Sequence, residues 1–202
     1  MTRVVLAAIY VTGLVFAEAL RILYRIRRIR SGPTWHPPTE RRGPAETLVL
    51  LSIVVGIWIL PGIYIFTQWF SQFDFALPYW VIWPALVVFV LGLVIRFRAQ
   101  NDLGASWSST VELAEGHNLV TSGVYAQIRH PIYASLISWA IAQPVLLQNF
   151  IAGLAGTLAV ALVWLVRVPM EEEMMRERFG QAYDEYANQT RRLIPRNRSQ
   201  DA

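Results

Sequence analysis

Residues 131–147 read PIYASLISWAIAQPVLL and residues 150–166 read FIAGLAGTLAVALVWLV, with only Gln148-Asn149 between them. Each run sits near the lower limit of the roughly 17–25 apolar residues that cross a bilayer as a helix. A two-residue link leaves no chain for any excursion, so it predicts an antiparallel helical hairpin. Gly153, Ala155, Gly156 and Ala159 give the second arm a small-residue surface on which the first can pack closely. His130-Pro-Ile-Tyr133 and the segment Arg167 to Glu173 are thereby expected side by side, at the same face of the membrane.

Composition agrees with a membrane setting. Of 202 residues, 54% are hydrophobic and eight are tryptophan, too apolar for an ordinary soluble domain of this size. The chain has no cysteine, which excludes disulfides, thiol nucleophiles and cysteine-ligated metals. Its three histidines, His36, His117 and His130, show no metal-binding spacing, so no metal site is expected. All eighteen basic residues are arginine and cluster at the ends of apolar runs. That pattern fits membrane topology and lipid head groups and speaks against nucleic acid.

Working outward, Val4 to Leu23 is a first span, with Arg21, Arg25, Arg27, Arg28 and Arg30 at and beyond its end and only Arg3 ahead of it. This asymmetry favours a retained helix with its N-terminus outside over a signal peptide. Glu18 inside the span is either a functional carboxylate or an i,i+3 partner of Arg21. Residues 31–46, rich in proline and glycine, read as a cytoplasmic loop. Leu48 to Phe70 is the second span, with a kink expected at Pro61-Gly62. A loop without basic residues leads to the third span, Tyr79 to Ile95, which opens on the interface aromatics Tyr79, Trp80 and Trp83.

Residues 99–130 are polar and long enough to fold over the membrane surface, with weak strand character at 108–113 and two helical turns expected over 124–130. After the hairpin, Met170 to Thr190 reads as a surface helix interrupted near Phe179-Gly180. The expectation is an all-α membrane protein of five transmembrane helices, C-terminus cytoplasmic. Its two parts are an N-terminal three-helix region (1–98) and a catalytic region (99–202) holding a cofactor loop, the hairpin and C-terminal surface helices.

The pocket expected at the inner interface is flanked by His117, Tyr125, His130, Tyr133, Arg167 and Glu171. It offers aromatic faces for a flat ring or a cation, a carboxylate for an ammonium and a guanidinium for an anion. Arg167 and Glu171 share a helical face if the helix runs through Pro169, and can equally pair with each other. Glu171 to Glu173 can also serve simply as acidic complement to a helix N-terminus.

From about Asp102 to Pro195 the chain resembles the isoprenylcysteine carboxyl methyltransferase family. The resemblance rests on Gly116-His-Asn-Leu-Val-Thr-Ser-Gly-Val-Tyr125, Arg129-His-Pro-Ile-Tyr133, Arg167-x-x-x-Glu171-Glu172 and Phe179-Gly-x-x-Tyr183-x-x-Tyr186. It implies an integral membrane enzyme that moves a methyl group from S-adenosylmethionine to the C-terminal carboxylate of a prenylated cysteine or similar lipidic acceptor, releasing S-adenosylhomocysteine. By position, His117, Asn118, Leu119, Val120, Tyr125, His130, Pro131, Ile132, Tyr133 and Glu171 are implied to bind the cofactor, and Arg167 to meet the acceptor. Ser135 stands where related membrane methyltransferases carry the glycine of Arg-His-Pro-x-Tyr-x-Gly.

A carboxylate acceptor is already ionised at neutral pH, so the reaction needs no base. The alternatives are a phospholipid (ethanolamine) N-methyltransferase, which needs a base from among Glu172, Glu173 and His130, a sterol-reductase-like nicotinamide enzyme, and a non-enzymatic scaffold or transporter. The membrane is a bacterial or archaeal cell membrane, or the endoplasmic reticulum in a eukaryote.

Overall fold

The computed structural model describes residues 3–30, 43–103 and 119–195, and nearly all of them are helical. The expected strand at 108–113, together with His117 and Asn118, lies outside the described residues. The helices are α1 (Arg3–Arg30), α2 (Pro44–Thr67), α3 (Tyr79–Leu103), α4 (Pro131–Leu147), α5 (Phe150–Phe179) and α6 (Gln181–Gln189). By length and composition α1, α2, α3 and α5 are each able to cross a membrane, and α4 is a shorter apolar helix. The chain is a multi-pass membrane protein, and Leu48, Val87, Leu158 and Leu165 are among the apolar side chains left on the outside of the bundle.

Several boundaries differ from the sequence reading. The second helix begins at Pro44, inside the stretch read as loop, because proline at N1 loses no hydrogen bond and starts a helix well. α3 runs two turns past Ile95 to Leu103. The fifth helix does not stop at the end of its apolar run: α5 continues through Pro169 to Phe179, about 45 Å at 1.5 Å per residue. That exceeds a hydrocarbon core of roughly 30 Å, so its charged last turns project beyond the lipid. The surface helix read from Met170 is therefore the end of α5. A separate α6 follows only after Gly180, whose φ of 52° reverses the chain.

α4 and α5 are antiparallel. Gln148 takes a left-handed conformation (φ 49°) and Asn149 caps α5, its side chain accepting from the Ala152 N–H at 2.9 Å. A Cβ on Gly153 would lie 2.6 Å from the Pro144 Cα, and one on Gly156 2.0 Å from the Gln143 Oε1, so the small residues set the approach of the two helices. Pro144 and Pro61 free carbonyls that neighbouring helices satisfy. Pro144 cannot donate to the Ala140 carbonyl, and Thr157 of α5 does so at 2.8 Å. Pro61, just past a π turn at Val54–Ile59, cannot donate to the Ile57 carbonyl, and the Tyr10 hydroxyl of α1 reaches it at 2.8 Å. Gln143 donates to both Gly56 and Ala152 carbonyls at 2.9 and 2.7 Å, tying α2, α4 and α5 together. Interhelical bonds of this kind are worth roughly 0.6 kcal/mol each on average in hydrocarbon. Tyr10, Phe89 and Trp139 pack in sequence from α1 through α3 to α4, with 6.2 Å between successive ring centroids.

The arginine-poor end is closed by Asp74. Its carboxylate meets the Arg3 guanidinium and accepts from Asn149 Nδ2 at 2.8 Å, while Asn149 also donates to the Phe70 carbonyl at 2.7 Å. Burial acts to raise the Asp74 pKa, but hydrogen bonds from Asn149 and Tyr64 and the charge of Arg3 outweigh it and hold the carboxyl below its usual range. Because Asp74 is more acidic folded than unfolded, its stabilisation is present above the ordinary aspartate range and is lost as the pH falls below that range through the lower folded value. The thermal unfolding midpoint in detergent should therefore drop as the pH falls below about 4. Asp74→Asn should lower the midpoint at pH 7 and flatten that part of the profile, and an unchanged profile would show that the contact carries no weight.

Candidate active site

At the arginine-rich end, residues 119–130, just ahead of α4, fold back onto the C-terminal tail. Asp102, at the end of α3, accepts from the Val124 N–H at 2.8 Å and holds one 3-10 turn, Gly123–Ala126. Gly123 has φ 62°, and a Cβ there would lie 2.2 Å from the Asp102 Oδ2, so glycine is required. The two helical turns expected over 124–130 do not form. Instead the Arg129 and His130 N–H groups donate to the carbonyls of Arg191 and Arg192 at 2.8 and 3.0 Å, which holds this stretch extended. Tyr186 of α6 adds a bond to the Tyr125 carbonyl at 2.7 Å.

Glu172 is the centre of this clasp. Only 2% exposed, it accepts from Arg192 at 2.9 and 2.5 Å and from Arg129 at 3.1 Å, and lies 3.2 Å from His130 Nε2. Arg129 also donates to the carbonyls of Ala187 and Thr190. The hydrogen bonds to Glu172 raise the pKa of Arg192 still further. With its oxygens so engaged, Glu172 is not free to act as a base, and Glu173 is exposed and 3.6 Å from Arg176.

Beside the clasp lies a second polar group. The Tyr133 hydroxyl of α4 donates to Glu171 of α5, and Arg167 lies one turn back with NH2 3.6 Å from Glu171 Oε1. The helix does run through Pro169, so the shared face read from the i,i+4 spacing is real. The His130 ring sits 5.6 Å from the Tyr133 ring and edge-on to Trp164 at 6.3 Å. Tyr125 is buried close enough to Glu171 to feel its charge. Burial first, then Tyr186 and Glu171, push the phenol's pKa well above its usual value, so it stays protonated.

Of the residues singled out in the sequence, Tyr125, His130, Tyr133, Arg167 and Glu171 thus come together. Pro131 is buried as the first residue of α4, and Ile132 packs on Leu20 and Tyr24 of α1. Leu119 and Val120 are half-buried on the approach to the Gly123 turn. Ser135 is fully buried and donates to the Ile132 carbonyl of its own helix at 2.6 Å, so its hydroxyl brings no unpaired donor into the packing. Glu18 pairs with Arg21 at 2.6 Å.

The sequence reading missed Glu46. It is 3% exposed in the first turn of α2, with Oε1 4.0 Å from Arg167 NH2. Among the described residues, neither Glu46 Oε1 nor Arg167 Nε has a hydrogen-bond partner. Its only sequence signal, an acid at the start of an apolar run, is also that of an ordinary helix N-terminus.

Comparison with known proteins bears on this arrangement. Residues 85–177 match the model of the isoprenylcysteine carboxyl methyltransferase (ICMT) family. The chain is 30% identical over 159 residues to protein-S-isoprenylcysteine O-methyltransferase A of Arabidopsis thaliana, covering 78% of this chain and 75% of that one. It is 34% identical over 120 residues to a protein of Oryza sativa subsp. indica named as a probable protein-S-isoprenylcysteine O-methyltransferase, covering 58% of this chain and 63% of the rice protein. The chain thus spans less than two thirds of the length of that rice relative. Among solved structures it is similar to the eukaryotic intramembrane Ras methyltransferase ICMT without a monobody, with a TM-score of 0.52 and 30% identity over 78% of this chain and 54% of that one.

Proposed function

The chain belongs to the isoprenylcysteine carboxyl methyltransferase family, and from that membership we propose that it is an integral membrane methyltransferase acting on the carboxylate of a prenylated cysteine. The observation that carries the reading is the meeting of Tyr133, Arg167 and Glu171, where the charged end of α5 leaves the bilayer.

The family implies a methyl donor, and the residues fit S-adenosylmethionine. Glu171 offers a carboxylate to a cationic group, and the rings of Tyr125, His130 and Tyr133 offer faces for a sulfonium and a flat base. When bound, that cofactor would supply an electrophilic methyl group to an acceptor oxygen. We assign Tyr125, His130 to Tyr133 and Glu171 to the donor side, together with residues 117–120. Arg167 holds the acceptor carboxylate and aims one oxygen at the methyl carbon. No proton moves, which suits a site whose Glu172 is bound up in ion pairs. An amine acceptor would need a free base, and this arrangement does not favour it.

In this reading α1 to α5 all span, with the N-terminus of α1 outside and the arginine-rich end cytoplasmic, in a cell membrane or the endoplasmic reticulum. Residues 99–202 supply the donor site, and residues 1–98 flank the path by which the prenyl chain enters from lipid. Calorimetric titration of the detergent-solubilised protein tests the donor. S-adenosylmethionine and S-adenosylhomocysteine should bind and reduced nicotinamide dinucleotides should not, whereas the reverse selectivity would place the chain with the reductases. Glu171→Gln should weaken S-adenosylmethionine binding about tenfold, the scale of a charge-assisted contact, and unchanged affinity would remove Glu171 from the donor site.

A further inference from the structure

We propose that the clasp holds a second ligand site, a phosphate-binding cavity between the residues ahead of α4 and the C-terminal tail. It goes beyond methyl transfer and shares none of the residues assigned to donor or acceptor. The cavity, of about 420 Å³, is lined by Arg129, Ala187, Asn188, Thr190, Arg191 and Arg192. Glu171 and Glu172 are successive on α5 and so point about 100° apart, which sets the donor group and the clasp on different sides of that helix.

Charge says what the cavity takes. Glu172 pairs with Arg129 and Arg192, so three guanidinium charges stand against one carboxylate and two are in surplus. The ion pairs around Glu172 use Arg129, Arg176 and Arg192, and among the described residues none uses the exposed Arg191. Arg129 Nε is buried, and among the described residues it has no acceptor. A phosphomonoester carries close to two negative charges at neutral pH and offers three strong acceptor oxygens, a match to guanidinium forks. A carboxylate or a phosphodiester brings only half that charge.

Depth points to lipid as the source. Arg129 and His130 lead directly into the apolar helix α4, so the cavity lies at the level of lipid head groups, where basic pockets between helices take anionic heads. A free phosphate has the same chemistry. Either ligand would bridge the tail to Arg129 and brace the neighbouring segment from His130 to Tyr133.

The test titrates the full-length protein in maltoside micelles, by calorimetry, with short-chain phosphatidic acid, short-chain phosphatidylcholine and inorganic phosphate. Phosphatidic acid should bind, raise the thermal unfolding midpoint and slow amide exchange at Arg129 and His130. Phosphatidylcholine, whose single negative charge sits beside a cation, should bind at least about tenfold more weakly. Arg191→Ala should weaken phosphatidic acid binding about tenfold, the scale of a hydrogen bond to a charged group. Exchange without ligand should not change in that variant, because the Arg191 carbonyl keeps its bond from the Arg129 N–H. Arg191→Lys, which keeps the charge but loses the fork, should lie between. Arg25→Ala removes an exposed charge from α1 that lines no part of the cavity, and should leave binding as it is. Binding of phosphatidic acid alone would assign the cavity to lipid, and inorganic phosphate binding as tightly, with the same dependence on Arg191, would assign it to the free anion. Unchanged phosphatidic acid affinity in Arg191→Ala, an equal loss in Arg25→Ala as diffuse charge would give, or equal binding of the two lipids overturns the site.

Discussion

Arg167→Ala is expected to lower kcat for a prenylcysteine acceptor by roughly 100-fold or more while leaving S-adenosylmethionine affinity within about threefold. The reason is positional. Methyl transfer between a sulfonium and a carboxylate needs no proton transfer, so alignment carries the catalysis, and loss of orientation of about 1 Å costs on the order of 100-fold. Arg167 is buried at the boundary of the apolar part of α5 and is held there by Glu46 and Glu171. Arg167→Lys keeps the charge but loses the planar fork, and should recover only part of the rate. Steady-state kinetics with calorimetric donor binding separate the two effects. Lost donor affinity with retained turnover at saturation would mean that Arg167 and Glu171 have exchanged roles.

The second large effect is expected at Glu172. Its carboxylate gathers Arg129 and His130, which precede α4, with Arg192, which follows α6, and Arg129 in turn holds the carbonyls of Ala187 and Thr190. Removing one partner of a buried ion pair leaves the others uncompensated and costs about 3–5 kcal/mol. Glu172→Gln should therefore lower the thermal unfolding midpoint markedly. It should also release the backbone bonds from Arg129 and His130 to Arg191 and Arg192, seen as faster amide exchange in both segments. Arg192→Ala should be milder, because Arg192 is half exposed and its loss leaves Glu172 with Arg129 and His130. Equal, small effects of both substitutions would show that the clasp does not organise this end of the protein.

The sequence disclosed most of what local pattern controls. Two apolar runs with two residues between them specify an antiparallel pair, and the small residues at 153 and 156 were readable as the surface on which it closes. Arg167 and Glu171 were legible because four residues make one helical turn. What stayed hidden depends on contacts across the chain. Glu172 reads as one acid of a triplet until Arg129 and Arg192 arrive from either side. Glu46 sat in a stretch whose prolines and glycines read as loop, although Pro44 at N1 begins a helix there. The turns expected over 124–130 failed for a similar reason, since the carbonyls of Arg191 and Arg192 offered those N–H groups partners that local propensity cannot anticipate.

The most direct measurement incubates the purified protein, in lipid nanodiscs, with S-adenosylmethionine carrying a labelled methyl group, an S-prenylcysteine and an ethanolamine phospholipid. The label should appear on the prenylcysteine as an ester that mild alkali releases as volatile methanol, and should be absent with Arg167→Ala. Label found in the phospholipid amine, stable to alkali, would contradict the account.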